Sequence, residues 1–151
     1  MLMRTCLRAV LVLLALTCAA AAQGDTPAQA AIRAALTQWM ADFNAGRAEM
    51  VCDLFARDLV AQYRGQPERD WDALCDLLKR SLADRDKTYS YALAIHEILV
   101  EGDLGVVRLT WTLTVRSKDG ETTSAEPGID IFRRQADGSW KISRYIGYES
   151  P

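Results

Sequence analysis

The sequence predicts an α+β domain: a curved, mainly antiparallel sheet wrapped on three N-terminal helices. Two observations carry this. Apolar residues recur at steps of three and four up to about residue 83, and at alternate positions from there to the end. The turn pairs Gly102-Asp103, Asp119-Gly120 and Asp137-Gly138 then divide the second half into four strands of a meander. The predicted order is helix, helix, strand, helix and four strands.

Residues 1–22 stand apart. Arg4 and Arg8 precede the apolar run Ala9–Leu16, and Ala20-Ala21-Ala22 fits the small-x-small cleavage rule. This is a secretory signal peptide, cut after Ala22, and the run is too short for an ordinary membrane span. Cys18 is a candidate for lipid attachment, but Leu16-Thr17 before it match such a box poorly. The remaining 129 of 151 residues, 23–151, form one domain of periplasmic or secreted protein. They carry 16 basic against 20 acidic side chains, since only Arg4 and Arg8 leave with the signal. A mildly acidic domain of mixed charge excludes a nucleic-acid binder of the usual basic kind.

Thr26-Pro27-Ala28-Gln29 opens the first helix: Thr26 caps, Pro27 suits the first turn and Gln29 completes a capping box. Ile32, Leu36, Trp39, Met40 and Phe43 form its buried face, and Gly46 ends it. A shorter helix follows from about Ala48 to Ala56, with Val51, Leu54 and Phe55 apolar. Leu59–Arg64 is a short strand stopped by Gly65 and Pro67. The third helix, about Glu68 to Ala83, buries Trp71, Leu74, Cys75, Leu78 and Leu82. Strands at Tyr89–Glu101, Leu104–Arg116, Thr122–Arg134 and Trp140–Tyr148 complete the sheet. In the second of these, Val107, Leu109, Trp111, Leu113 and Val115 alternate with polar residues.

Cys52 and Cys75 are the cysteines left after the signal. An oxidising compartment favours a disulfide between them, and both flank the first strand on elements that pack on one sheet. Two small buried thiols are the alternative. Asp130 is a carboxylate between Ile129 and Ile131, so it faces opposite to both. Facing a closed pocket it is the chemically most interesting residue of the chain; facing solvent it is ordinary.

Phe43-Asn44-Ala45-Gly46 with Leu54-Phe55-Ala56-Arg57-Asp58, and the hairpin Asp137-Gly138-Ser139-Trp140-Lys141-Ile142, resemble the nuclear-transport-factor-2-like cone superfamily. It includes ketosteroid isomerases, SnoaL-type polyketide cyclases and the association domain of calmodulin-dependent kinase. The resemblance spans nearly all of residues 23–151 and implies a fold more than an activity, because the superfamily hosts enzymes, binding modules and scaffolds. Pro127 and Ile129-Asp130-Ile131-Phe132 resemble the strand carrying the isomerases' oxyanion-hole aspartic acid. The resemblance implies that Asp130 is kept protonated by an apolar site and donates a hydrogen bond. The isomerases' second donor, a helical tyrosine, corresponds to Trp39, whose indole N–H could serve. Their catalytic base corresponds to Tyr63, and a tyrosine, with an ordinary pKa of about 10, is a poor base near neutrality. The machinery is therefore expected to be incomplete.

His96 alternates with Ile98 and Val100, which places it in the cone as a substitute base, or at the sheet rim as an ordinary hydrogen-bonded histidine. Arg144 shares a face with Trp140, Ile142 and Ile146 if its strand is regular. There it would bind a ligand carboxylate, or pair with Asp130 and lower its pKa. Trp39, Phe43, Tyr63, Trp111 and Tyr148 line or plug the cone. No metal spacing, phosphate loop or nucleophile motif is present, and no cofactor is expected.

Three function classes follow. The leading one is an exported domain binding a small apolar or carboxylate-bearing molecule through Trp39, Tyr63, Trp111 and Arg144. The second is an isomerase, cyclase or dehydratase using Asp130 as acid and His96 as base. The third is a homodimeric scaffold working through an exposed sheet face that carries Ile129 and Ile131.

Overall fold

The structure, a computed structural model, describes residues 24–148. The expected signal peptide and cleavage site, and Cys18, lie outside the described residues. Two helices and five strands follow in the order α1 (Pro27–Asn44), β1 (Phe55–Tyr63), α2 (Trp71–Ala83), β2 (Lys87–Glu101), β3 (Leu104–Ser117), β4 (Gly120–Arg134) and β5 (Trp140–Gly147). The sheet order is β1-β5-β4-β3-β2. The meander β2–β5 is antiparallel, and β1 closes the other edge by pairing parallel to β5.

α1 begins with the expected capping box at Thr26 and Gln29, with Pro27 in the first turn. It buries Ile32, Leu36, Trp39 and Phe43 against the sheet. Two side chains moor it along the edge strand β2. Gln29 Nε2 donates to the Ile98 carbonyl at 2.8 Å, and Asn44 exchanges a pair of 2.8 Å hydrogen bonds with the backbone of Tyr91. These also occupy backbone groups that an edge strand otherwise leaves open. Asp42 is buried too, and it is held by Gln38 at 2.8 Å and by Arg47 at 2.6 Å.

The expected second helix is absent. Residues 48–54 form successive turns, closed by three-residue hydrogen bonds from Met50 to Arg47, Asp53 to Met50 and Phe55 to Cys52. A segment this short cannot offset helix nucleation alone. Its carbonyls and side chains are also claimed by tertiary contacts, Val51 by Trp39 and Cys52 by Cys75. β1 consequently starts at Phe55, four residues earlier than expected. α2 starts at Trp71 rather than Glu68, because Asp70 caps it by accepting from the Ala73 N–H at 2.9 Å.

Cys52 and Cys75 are joined as a disulfide, with Cα atoms 5.5 Å apart. It ties α2 to the turns before β1. No helix among the described residues is long and apolar enough to cross a membrane.

Candidate functional site

The concave face of the sheet, α1 and α2 enclose a cavity of about 80 Å³. That is several times the roughly 10–15 Å³ that one water needs. It is well under the roughly 300–1,000 Å³ of drug-sized pockets. Trp39 comes from α1, Leu74 and Leu78 from α2, and Leu54, Phe55 and Tyr63 from the turns and β1. Tyr91, Leu109, Trp111, Ile142 and Tyr145 line the sheet side, with Glu126, Gly128, Asp130 and Gly147 on β4 and β5.

Trp39, Tyr91 and Trp111 pack on one another with ring centroids 5.1–5.7 Å apart, all tilted or edge-on, and form one aromatic wall. The Trp39 indole N–H donates to the Val51 carbonyl at 2.8 Å. It is thus spent on the buried backbone of the turns, and Trp39 offers the cavity its ring rather than the donor expected of it. Burial, with Glu126 nearby as the next cause, pushes the Tyr91 phenol well above its usual range.

Asp130 is 3 % exposed and points into this cavity, while Ile129 on the opposite face is 45 % exposed. Its Oδ2 has no hydrogen-bond partner. Desolvation pushes its pKa up from 3.8 to about 7, because no cation or donor offsets the loss of water around the charged form. The carboxyl is therefore substantially protonated near neutrality and available as a donor.

Asp130, Trp39, Tyr63 and Trp111 are brought together around the cavity; His96 and Arg144 are not. Both differences come from a β-bulge. In β2, Ile95 pairs with Leu109 but Glu97 with Arg108, so His96 is an extra residue and the alternation slips. Its Nε2 lies 2.8 Å from Thr110 Oγ1, and Thr110 faces away from its neighbours Leu109 and Trp111. His96 is thus exposed on the outer face, not in the cone beside Asp130. In β5, Arg144 pairs with Ile131 but Ile142 with Phe132, leaving Ser143 extra. Arg144 then turns outward, donating to the carbonyls of Asp58 at 2.7 Å and Ser143 at 2.6 Å. It pairs with neither Asp130 nor anything in the cavity.

The same bulge turns Tyr145 inward, a residue that regular alternation hides. Glu126 was legible in principle, since it shares parity with Asp130 on β4. Gly128 and Gly147 pair across β4 and β5. A Cβ on Gly128 would sit 2.8 Å from the Ile146 carbonyl oxygen, and one on Gly147 would press on the Tyr145 and Tyr63 rings at 3.2 and 3.4 Å. The bareness of Gly147 gives both tyrosine rings their place, and that of Gly128 the close approach of β5. Among the described residues no group of three or more His, Cys, Asp or Glu is placed to hold a metal ion.

A mainly antiparallel sheet folded over two helices around a small, mostly apolar cavity with a buried acid defines a cone-type domain of the nuclear-transport-factor-2-like superfamily. Within it, a profile of the SnoaL-like domain matches residues 36–145, and the chain belongs to that family. Similar solved structures agree. A ketosteroid isomerase-like protein from Erwinia carotovora atroseptica shares 25 % identity at a TM-score of 0.67, over 81 % of this chain and 96 % of that one. A nuclear-transport-factor-2-like protein with a cystatin-like fold from Novosphingobium aromaticivorans shares 19 % at 0.66, over 80 % of each. A Catenulispora acidiphila protein in complex with S-DNPA shares 17 % at 0.64, over 80 % of this chain and 91 % of that one. No curated protein matches the sequence.

Proposed function

We propose that this chain is an exported domain that binds a small, compact, largely apolar molecule carrying a hydrogen-bond acceptor, with isomerase machinery that is incomplete. The observation that carries this is Asp130, a buried carboxyl with an unpartnered oxygen in a wall that is otherwise mostly apolar. Buried polar atoms are normally satisfied, and one aimed into a cavity is a position where a ligand's acceptor can bond. No cationic side chain lines the cavity among the described residues, so the reading narrows to neutral ligands rather than carboxylates. The signal-like N-terminus and the Cys52–Cys75 disulfide support export to an oxidising compartment.

Thermal shift of the oxidised protein against small ketones and hydrocarbons of matched shape tests this. Ketones at about a hundred times their dissociation constant should stabilise by about 2.7 kcal/mol. Affinity for a neutral acceptor should be flat below about pH 7 and fall above it, as Asp130 loses its proton. If no small apolar compound stabilises the protein at any pH, the reading is wrong.

Glu126 favours a second reading, an isomerase, cyclase or dehydratase. It shares the cavity with Asp130 four residues along β4, about 13 Å at the usual strand rise. It could supply the base that neither Tyr63 nor the outward His96 provides. Hydrogen–deuterium exchange at the α-carbon of an enolisable ketone, lost separately in Asp130→Asn and Glu126→Gln, would support catalysis; exchange at the uncatalysed rate would remove it. The exposed cross-strand pair Ile129 and Ile146, at 45 % and 60 % exposure, favours a homodimer through the outer sheet face. Sedimentation showing only monomer at micromolar concentration would exclude that.

A further inference from the structure

Resting on that binding reading, we propose that the Cys52–Cys75 disulfide sets the upper size of the ligand, by holding α2 as a fixed wall of the cavity. The two helices are secured in different ways. Gln29 and Asn44 moor α1 to β2 near its two ends. α2 buries only Leu74, Cys75 and Leu78 of its 13 residues. Leu74 and Leu78 are also the side chains that it turns to the cavity. The hollow beneath them denies this helix the dense packing that would fix it, and an element with few buried contacts opens first.

Two tethers make up for this. The Arg57 guanidinium lies 3.5 Å over the Trp71 ring at the start of the helix. The disulfide joins Cys75, next to Leu74 and one turn before Leu78, to Cys52, just before Leu54 and Phe55. It therefore couples two segments that line the cavity. The turns that carry Cys52 are themselves fixed, since the Val51 carbonyl accepts from the Trp39 indole of α1 at 2.8 Å. Through Trp39, Val51, Cys52 and Cys75, the well-moored α1 holds the weakly moored α2. Both cysteines are buried, at 5 % and 2 % exposure, so the tether is a permanent part of the wall rather than a redox switch. At about 80 Å³ the cavity holds about five to eight water-sized groups. The single ring of cyclopentanone fits that space. The fused rings of 2-decalone, with the same ketone group, fit only if α2 moves.

The test measures both ketones by calorimetry on the oxidised protein and on Cys52→Ala with Cys75→Ala. The wild type should bind cyclopentanone and reject 2-decalone. Untethering raises the fraction of molecules with α2 displaced, so the double variant should gain about tenfold or more for 2-decalone and change little for cyclopentanone. Amide exchange in α2 should quicken in the variant relative to that in α1. Should the variant not fold, protein reduced in urea, bridged with diiodomethane and refolded keeps the loop closed on a tether one carbon longer, each thiolate having displaced one iodide. It should also gain 2-decalone, by a smaller factor. If the folded variant or the bridged protein binds cyclopentanone and still rejects 2-decalone, the disulfide sets no size limit and the binding reading survives. The same holds if the wild type binds 2-decalone as tightly as cyclopentanone. If no form binds either ketone, both fall.

Discussion

Asp130 should make the protein less stable as pH rises, against the common behaviour of native carboxylates. Its folded-state pKa is raised from 3.8 to about 7. Below about pH 4 both the folded and unfolded chains hold the proton, and the burial carries no ionic penalty. Between about 4 and 7 the unfolded chain ionises at Asp130 while the folded chain does not, so unfolding gains about 1.4 kcal/mol per pH unit. Above about 7 both are ionised and the cost levels off at about 4 kcal/mol, the product of that slope and the interval from 3.8 to about 7. Asp130→Asn keeps the shape and removes the titration. Urea unfolding of both proteins at pH 4.5, 5.5, 6.5 and 7.5, disulfide intact, isolates the effect, because every other titrating group cancels in the difference. The Asn variant should gain on the wild type progressively to about pH 7 and no further. A difference that does not change with pH would mean that Asp130 is hydrated or partnered, and the donor role would fail with it.

Further outcomes follow from the same contacts. Reducing Cys52–Cys75 should cost about 3 kcal/mol, by the loop entropy of its 23-residue separation; urea midpoints with and without reductant, and intact mass after alkylation, check this. Gly128→Ala should cost about 1–3 kcal/mol through overpacking, because its Cβ meets the Ile146 carbonyl, which is backbone and cannot swing aside; its melting temperature reads this. His96→Ala, on the outer face, should leave the affinity for cyclopentanone unchanged in calorimetry, and a tenfold loss would put His96 back in the cavity.

The meander was legible because its signals are local. Turn pairs such as Asp119-Gly120 and Asp137-Gly138 are set by a few neighbours, and the alternation through Val107, Leu109 and Trp111 needs only one face to be dry. The α1 cap at Thr26 and the apolar stripe of α2 are local too. The opposition of Asp130 to Ile129 was legible for the same reason, since β4 stays regular on both sides of it; that its face is the closed one came from the packing of the helices. Three things were decided only in three dimensions. Residues 48–54 have helical spacing, yet Trp39 and Cys75 reach in from elsewhere and hold them as turns. The Ser143 bulge exchanges Arg144 for Tyr145 in the cavity, and the His96 bulge sends the only histidine outward. β1 pairs parallel with β5 across most of the chain. A bulge adds one residue without changing the residue types around it, so a pattern of period two passes through it unbroken in the sequence while every side chain beyond it changes face.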